Sequence, residues 1–120
     1  MSEDNFLQDI ITQIKKDALQ EEEKKLLLIQ KALDEIELLK KDFLMIDPDM
    51  ERLVLFGSLA QTPSSSNFDI DLAVKSKKYF ALLNRALSSD FKIDLVDIDF
   101  LNPFILKTIE QKGKIIYEKN

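Results

Sequence analysis

The sequence has 120 residues, 45% of them hydrophobic and 32% charged, which is enough for about one domain with a single core. It contains no cysteine and no histidine, which excludes disulfides, thiolate metal sites and imidazole bases. Because 22 acidic residues outnumber 17 basic ones, nucleic acid is an unlikely partner for this surface.

The N-terminus predicts neither export nor membrane insertion. Met1 to Asn5 is acidic and has no positive n-region and no apolar h-region. No apolar run in the sequence approaches the roughly 18 residues that a membrane span needs. We therefore expect a soluble, cytoplasmic protein with no membrane partner, whose chemistry rests on carboxylates, hydroxyls, lysines and bound metal.

The first part of the chain has the composition of helix. From Phe6 to Met45 there is no glycine and no proline, and Leu, Ile, Lys, Glu and Gln dominate. One apolar set at helical spacing is Leu7, Ile11, Ile14 and Ala18, and a second set in a different phase is Leu26, Ile29, Leu33, Ile36 and Phe43. We interpret the change of phase as a break within Gln20 to Lys25, since one continuous helix would be about 60 Å long. The sequence thus predicts an N-terminal helical hairpin, apolar enough to dock another chain.

A boundary follows at Asp47-Pro48-Asp49, because Pro48 cannot continue a helical hydrogen-bond ladder. We expect residues 1–46 to form a helical extension and residues 47–120 to form the core of one compact domain. After the boundary, Arg52 to Phe56 is a short apolar run and Phe68 to Val74 alternates with a period of two, so both are predicted strands.

The remaining elements follow in alternation. The Pro-, Ser- and Asn-rich segment Gln61 to Asn67 is a predicted surface loop between the two strands. Further predicted elements are a helix over Lys77 to Leu87, a strand over Phe91 to Val96, a helix over Phe104 to Lys112 and a short edge strand over Ile115 to Tyr117. The fold class is therefore α/β, or α+β, with a small, mixed three- to four-stranded sheet backed by helices and preceded by the helical hairpin.

Five residues are candidates for a functional site. Gly57 and Ser58 follow a buried strand, where a missing side chain lets backbone N–H groups approach a phosphate, although such a pair is most often only a turn. Asp69 and Asp71 share one face of the next strand by its period-two geometry, and Asp94 supplies a third acid on the strand after it.

The alternative for these acids is a solvated strand face. However, aspartate is depleted in strands, and two like charges about 4 Å apart repel by roughly 4 kcal/mol at an effective dielectric of about 20. A bound divalent cation such as Mg²⁺ or Mn²⁺ would remove that repulsion. The pattern Gly-Ser, ten residues, Asp-x-Asp would arise by chance in about one chain per thousand of this length.

At this point the sequence resembles the minimal nucleotidyltransferases, the small members of the polymerase-beta-like nucleotidyltransferase superfamily. The matching segments are Leu55 to Ser58, Phe68 to Val74, Ile93 to Asp97 and the ending Ile109 to Tyr117. The resemblance covers about Met50 to Tyr117. It implies that residues 47–120 are a nucleotidyltransferase core.

The resemblance also implies roles for the candidate residues. Asp69 and Asp71 would hold two Mg²⁺ ions, with Mn²⁺ as a substitute, and Asp94 would hold the ion that activates the acceptor and could take the acceptor's proton. Gly57 and Ser58 would bind the triphosphate of ATP or another nucleoside triphosphate. The implied reaction is transfer of AMP from ATP to a hydroxyl by a two-metal mechanism, with the three aspartates as both catalytic and metal-binding residues.

The acceptor implied by the resemblance is a protein, since minimal nucleotidyltransferases commonly act as antitoxins that adenylylate a tyrosine of a helical HEPN-type toxin. Self-association is left open. One alternative is transfer to a small molecule such as an aminoglycoside. Another is a catalytically weak antitoxin module that binds nucleotide and covers its partner. The second alternative is favoured by Leu59 to Thr62, which stands where the family often has an Arg-Ala-Arg-Gly type sequence. Lys75, Lys77 and Lys78 could replace the missing charge, although a run of lysines is more often a solvated face.

Overall fold

The structure is a computed structural model that describes residues 3–120, with side chains from Phe6 onward. Its helices and strands are α1 (Glu3–Ile46), β1 (Arg52–Phe56), β2 (Ile70–Lys75), α2 (Tyr79–Leu87), β3 (Ile93–Asp97), α3 (Pro103–Lys112) and β4 (Lys114–Glu118). Single turns of 3-10 helix, Ser58–Ala60 and Ile98–Phe100, follow β1 and β3. The predicted mixed α/β class is confirmed. No helix among the described residues combines the length and apolarity needed to cross a membrane.

The predicted helical hairpin is wrong, because α1 is a single helix of 44 residues. The expected break, Gln20 to Lys25, consists of Gln, Glu and Lys, which are good helix formers, and polarity alone does not end a helix. The apparent change of phase comes from Leu26 and Leu33, which are 57% and 41% exposed and so do not belong to the core-facing stripe.

The stripe that α1 does bury is Ala32, Ile36, Leu39 and Phe43. At 3.6 residues per turn, these positions share one face of the helix with Leu7, Ile11 and Ile14. The expectation that one continuous N-terminal helix would be too long for this chain is also wrong, since the molecule measures 70 × 29 × 22 Å. The C-terminal half of α1 therefore packs in the core and the N-terminal half extends past it. Met1 and Ser2 lie outside the described residues, and the division of the chain at residue 47 remains a prediction.

The sheet has four strands in the order β3-β2-β1-β4. β1 runs antiparallel to both β2 and β4, while β2 and β3 are parallel and are connected by α2. A parallel pair needs a crossover of this kind, because its strands start at the same edge of the sheet. Consequently the first residues of β2 and β3 lie side by side, next to the end of β1.

The two faces of the sheet carry separate apolar clusters. The larger cluster packs α1 and α2 on one face, with Phe43, Leu53, Leu72 and Leu82 fully buried. A smaller cluster on the other face joins Val54 and Ala73 to Ile98 and to Ile109 of α3. Since both faces of β1 and β2 are covered, most positions of these strands are apolar, and a polar residue there calls for a functional explanation.

Polar contacts fix the helices on the sheet. Arg85 of α2 donates through Nε to Asp42 of α1 at 2.7 Å. At the end of α1, the buried Asp47 accepts a hydrogen bond of 2.5 Å from Ser76 Oγ, just after β2. These contacts hold the helical layer against the strands that carry the candidate residues.

Candidate functional site

Asp71 and Asp94 are register partners on the parallel strands β2 and β3. Strands in a sheet are about 4.8 Å apart, so the two carboxylates leave neighbouring points of the backbone on the same face. Asp71 is partly buried and Asp94 is exposed. The sequence predicted this juxtaposition, and the parallel register accounts for it.

Asp69 lies in the loop just before β2, since the strand begins at Ile70 and not at Phe68 as predicted. Its Oδ2 lies 3.6 Å from Nζ of Lys92, a contact that involves a lysine side chain that is 81% exposed. An ion pair this long and this exposed contributes little free energy, so Asp69 can turn away from Lys92 at small cost.

Gly57 brings the end of β1 against Asp71. Its φ of 75° and ψ of −157° lie in a region of backbone conformation that is essentially restricted to glycine. A Cβ at this position would stand 2.1 Å from Oδ2 of Asp71, and Phe56 is the register partner of Asp71 across the β1–β2 pair. Both the conformation and the close approach therefore require glycine at position 57.

Ser58 lies between two adjoining clefts. The first, which we call the acidic cleft, has a volume of about 480 Å³ and is lined by Ser58, Asn67, Phe68, Asp69, Asp71 and Lys92. The second, which we call the glycine cleft, has a volume of about 320 Å³ and is lined by Phe56, Gly57, Ser58, Gln61, Thr108, Ile109 and Lys112. Four of the five predicted site residues thus line this pair of clefts, and the fifth, Asp94, is next to Asp71.

Like charges meet at Asp71. Burial raises the pKa of its carboxyl above the ordinary range, and the charges of Asp94 and Asp69 raise it further, while Lys92 acts in the opposite direction. The carboxylate form of Asp71 is therefore disfavoured in the folded protein, and a cation at this position would relieve the conflict.

We expect Asp71→Asn to increase the free energy of unfolding at pH 7, by less than about 1 kcal/mol because solvent screens this partly exposed group. The raised folded-state pKa means that Asp71 supports folding fully below its unfolded pKa and loses this contribution as pH rises through the folded pKa. The gain from the variant should therefore disappear below about pH 4. Urea unfolding at pH 7 and below about pH 4 measures this gain in the free energy of unfolding, with the exposed Asp9→Asn as a control. Equal effects of the two variants at pH 7 would refute the explanation that burial and neighbouring acids destabilise the Asp71 carboxylate.

Two lysines at the clefts were missed by the sequence analysis. Lys92 lines the acidic cleft and Lys112 lines the glycine cleft. A signal for Lys92 was present, since it lies two residues before Asp94 and so shares its side of an extended chain. Nothing local to Lys112 indicates its position, which depends on the end of α3 packing so closely on β1 that a Cβ on Gly113 would stand 2.8 Å from the carbonyl oxygen of Leu55.

The three lysines considered from the sequence lie elsewhere. β2 begins at the site and ends at Lys75, a distance of about 16 Å at 3.3 Å per residue. Lys75 lies 3.8 Å from carboxylates of Glu51 and Asp99, and Lys78 donates to the carbonyl oxygen of Ile46 at 3.2 Å. Lys77 is next to Lys78, at the same end of the sheet. None of the three can replace a basic residue beside Gly57.

A cleft of about 500 Å³ around Arg52 is also remote from the site, because Arg52 begins β1 and Gly57 follows its end. The guanidinium of Arg52 binds Glu110 and Glu118 at 2.8 and 2.7 Å, and the hydrogen bond to Glu118 is the main reason that its pKa is raised. With its charge already paired, Arg52 fastens α3 and β4 to β1 and offers little to a ligand.

The acids of the site have the chemistry of a magnesium site without its finished geometry. Among residues 6–120, whose side chains the structure describes, no three acidic side chains are grouped closely enough to form a ready-made metal site. Asp69 faces Lys92. The carboxylate donor set does suit a hard cation. Rotation of the Asp69 side chain away from its weak contact with Lys92, toward the other two carboxylates, would cost little free energy.

Comparison with known proteins identifies the fold. Residues 37–120 match the family described as polymerase beta, nucleotidyltransferase, so the match includes the last ten residues of α1. No curated protein sequence matches the chain.

Two solved structures are similar over most of the chain. One is a toxin–antitoxin with AMP-PNP, 25% identical, covering 70% of this chain and 74% of that chain with a TM-score of 0.56. The other is a variant of the toxin–antitoxin MntA–HpeT, 24% identical, covering 72% of each chain with a TM-score of 0.54.

Proposed function

We propose that this chain, which belongs to the polymerase beta nucleotidyltransferase family, transfers AMP from ATP to a hydroxyl group on a partner protein. The observation that supports this most strongly is the register of Asp71 with Asp94, beside a glycine whose missing Cβ leaves room for the Asp71 carboxylate. Neighbouring carboxylates beside a glycine turn are expected at a site where a metal-bound triphosphate reacts. The similar structure with AMP-PNP supports an adenine nucleotide as the donor.

Asp69, Asp71 and Asp94 would be the metal ligands in this proposal. The chemistry that two Mg²⁺ ions supply in such a site is a lower pKa for the acceptor hydroxyl and neutralisation of the leaving pyrophosphate. The raised pKa of Asp71 supports the assignment, because a carboxylate surrounded by like charges gains most from a cation. Mn²⁺ prefers similar oxygen ligands and is the expected substitute.

The protein's own groups have distinct tasks in the transfer. The acceptor oxygen attacks the α-phosphorus of ATP, and the bond from that phosphorus to the oxygen bridging to the β-phosphate breaks, so that pyrophosphate leaves. Asp94 is exposed on β3 and can accept the proton that the acceptor hydroxyl loses. Gly57 and Ser58 would hold the triphosphate, with backbone N–H groups and a hydroxyl as donors.

Lys112 would supply positive charge that the segment after Ser58 lacks. It lines the glycine cleft with Gly57 and Ser58, so its ammonium group can reach a phosphate bound there. We expect Lys112→Ala to weaken ATP binding about tenfold, as loss of a charge-assisted hydrogen bond predicts. AMP, which lacks the β- and γ-phosphates, should lose much less affinity.

Isothermal calorimetry with ATP and with AMP measures this difference. Lys107→Ala is the matched control, because Lys107 is exposed on the same helix and does not line the cleft. If Lys107→Ala weakens ATP binding as much as Lys112→Ala does, the loss comes from the change in net charge, and Lys112 does not contact the phosphates. Lys92 is less suited to this test, since its loss would also release Asp69.

A protein acceptor is supported by the surface along the part of β3 that follows Asp94. A cleft of about 420 Å³ crosses the outer edge of β3 and includes Tyr79, Phe80, Leu95, Phe100 and Leu101. Phe80 is 81% exposed and Phe100 is 88% exposed, and exposed aromatic side chains of this kind are typical of protein interfaces. Tyr79 donates its hydroxyl hydrogen to the carbonyl oxygen of Leu95, which occupies part of the strand edge. A partner would therefore dock through side chains in preference to adding a strand.

The partner we propose is a helical toxin of HEPN type, in line with the similarity to toxin–antitoxin structures. Incubation with α-labelled ATP, Mg²⁺ and the product of the neighbouring reading frame tests this acceptor class. We expect the partner to gain the mass of one or more AMP units at a tyrosine, serine or threonine.

Two other results would select the alternatives. If the partner is bound and silenced equally by wild type and by Asp69→Asn/Asp71→Asn, with no added mass, the chain is a binding module. If the label moves to an aminoglycoside in a parallel reaction, the protein acceptor is wrong and nucleotidyl transfer stands.

A further inference from the structure

The N-terminal half of α1 carries apolar side chains that no other described part of the chain covers. Phe6, Leu7, Ile10, Ile11 and Ile14 are each between 41% and 63% exposed. We call residues 6–19 the arm and these five side chains the arm stripe. Leu7, Ile11 and Ile14 of the arm stripe lie on the same face of α1 that buries its core residues, while Phe6 and Ile10 flank that face. The packing face of the helix thus continues past the end of the domain.

Intrinsic helix propensity contributes little to the stability of the arm beyond the packed half of α1. Isolated helices of about 12–15 residues are marginal in water, even when they are rich in alanine. The arm contains three isoleucines and a threonine, which are weaker helix formers than alanine or leucine. Covering the arm stripe with another apolar surface would therefore stabilise the arm.

The charges of the arm exclude several occupants. Asp9 and Asp17 balance Lys15 and Lys16, so the arm has no net charge. A helix that lies on anionic lipid carries an excess of Lys and Arg on its polar face, which is absent here. A strongly basic or acidic protein would find no complementary charge. A second, equally neutral arm meets no net repulsion and offers the same apolar surface.

We propose that the arm stripe pairs with the arm stripe of a second copy of this chain, in antiparallel orientation. Pairing about a point between Thr12 and Gln13 sets Leu7 opposite Ala18 and Ile11 opposite Ile14, so every layer is apolar. In a parallel pair, Asp17 would face Glu22 of the other copy, a contact between like charges. The antiparallel pair also leaves the two cores at opposite ends.

The area of the arm stripe fits a modest dimer. A half-exposed large apolar side chain leaves roughly 100 Å² open, so the five together give on the order of 500 Å² per arm. Two arms then bury about 1,000 Å², the lower limit for a specific interface. We expect self-association in the micromolar range and no dependence on nucleotide, so this inference stands or falls independently of the proposed activity.

Sedimentation equilibrium of the full chain at about 1 to 100 μM tests the proposal. The mass should rise from 13.9 kDa toward twice that value with concentration. Ile11→Asp/Ile14→Asp should weaken association at least about 100-fold, because two charges would enter an apolar interface. The control Thr12→Asp/Gln20→Asp adds the same charge to the opposite face of the helix and should leave the mass unchanged.

A cross-linking measurement checks the orientation, using the absence of native cysteine. In the antiparallel pair Gln8 of one copy lies near Lys15 of the other, so a mixture of Gln8→Cys and Lys15→Cys chains should yield mainly the mixed disulfide dimer. Predominance of the symmetric dimers would overturn the antiparallel pairing. A monomer of 13.9 kDa throughout the concentration range would overturn the proposal and leave the arm stripe to a different molecule.

Discussion

Asp69→Asn/Asp71→Asn should abolish Mg²⁺-dependent ATP binding and lower the rate of AMP transfer at least about 100-fold. Asparagine keeps the shape of aspartate but removes the charge that a cation needs. Both residues lie outside the two apolar clusters, so the fold should remain intact. Stability should even increase, because the variant removes the repulsion that Asp71 experiences from Asp69 and Asp94.

Calorimetric titration with ATP in the presence and absence of Mg²⁺ measures this effect. The matched control is Asp97→Asn/Asp99→Asn, which removes two aspartates at the same spacing from the last residue of β3 and the turn that follows it. Asparagine can still cap the turn where Asp97 accepts from the Asp99 N–H at 3.0 Å, so the control should keep its fold. The control should bind ATP as tightly as wild type. If Asp69→Asn/Asp71→Asn also binds ATP that tightly, the assignment of Asp69 and Asp71 is wrong.

Gly57→Ala should reduce ATP affinity at least about tenfold by disturbing Asp71, although alanine adds only one carbon. The new Cβ would stand 2.1 Å from Oδ2 of Asp71, so the carboxylate must move out of its position in the acidic cleft. The backbone conformation at φ 75° adds strain of about 1–3 kcal/mol for any residue except glycine. Urea unfolding measures the cost in stability and calorimetry the cost in affinity.

A double-mutant cycle separates the two causes. In an Asp71→Ala background, the clash with the carboxylate is gone, and the backbone strain and a contact of 3.3 Å with the Cβ at position 71 remain. Gly57→Ala should therefore destabilise this background less than it destabilises wild type, a coupling that the cycle reports directly. Equal destabilisation in both backgrounds would show that contact with Asp71 is irrelevant and that strain alone explains the glycine.

The strands were predictable because each carries local signals that packing reinforces. β1 is a short apolar run, and the alternation around Asp71 and Asp94 reports which residues face the core. The single long helix at the N-terminus was not predictable in the same way. Continuation of α1 depends on where the domain ends, and Leu26 and Leu33 look like core positions in the sequence although they are exposed. A periodic pattern does not reveal which apolar face finds a partner.

For the candidate site, the sequence selected candidate residues and the structure supplied their spatial relationships. Gly57, Asp71 and Asp94 could be chosen from motif spacing, and the parallel register of β2 and β3 then explains why two of them are neighbours. The position of Lys112 follows from the packing of α3 on β1, a contact between segments far apart in sequence. Long-range packing of this kind leaves no local signal, which is why Lys112 was not among the lysines considered from the sequence.

The most direct test of nucleotidyl transfer is to follow which phosphorus of ATP enters the acceptor. Parallel reactions contain α-labelled or γ-labelled ATP, Mg²⁺ and the partner protein, and the products are the labelled protein and the released phosphate species. The proposed attack at the α-phosphorus predicts that the α-label joins the partner, that the γ-label leaves as pyrophosphate, and that Asp69→Asn/Asp71→Asn prevents both. Transfer of the γ-label to the partner, or release of the γ-label as single phosphate, would contradict it.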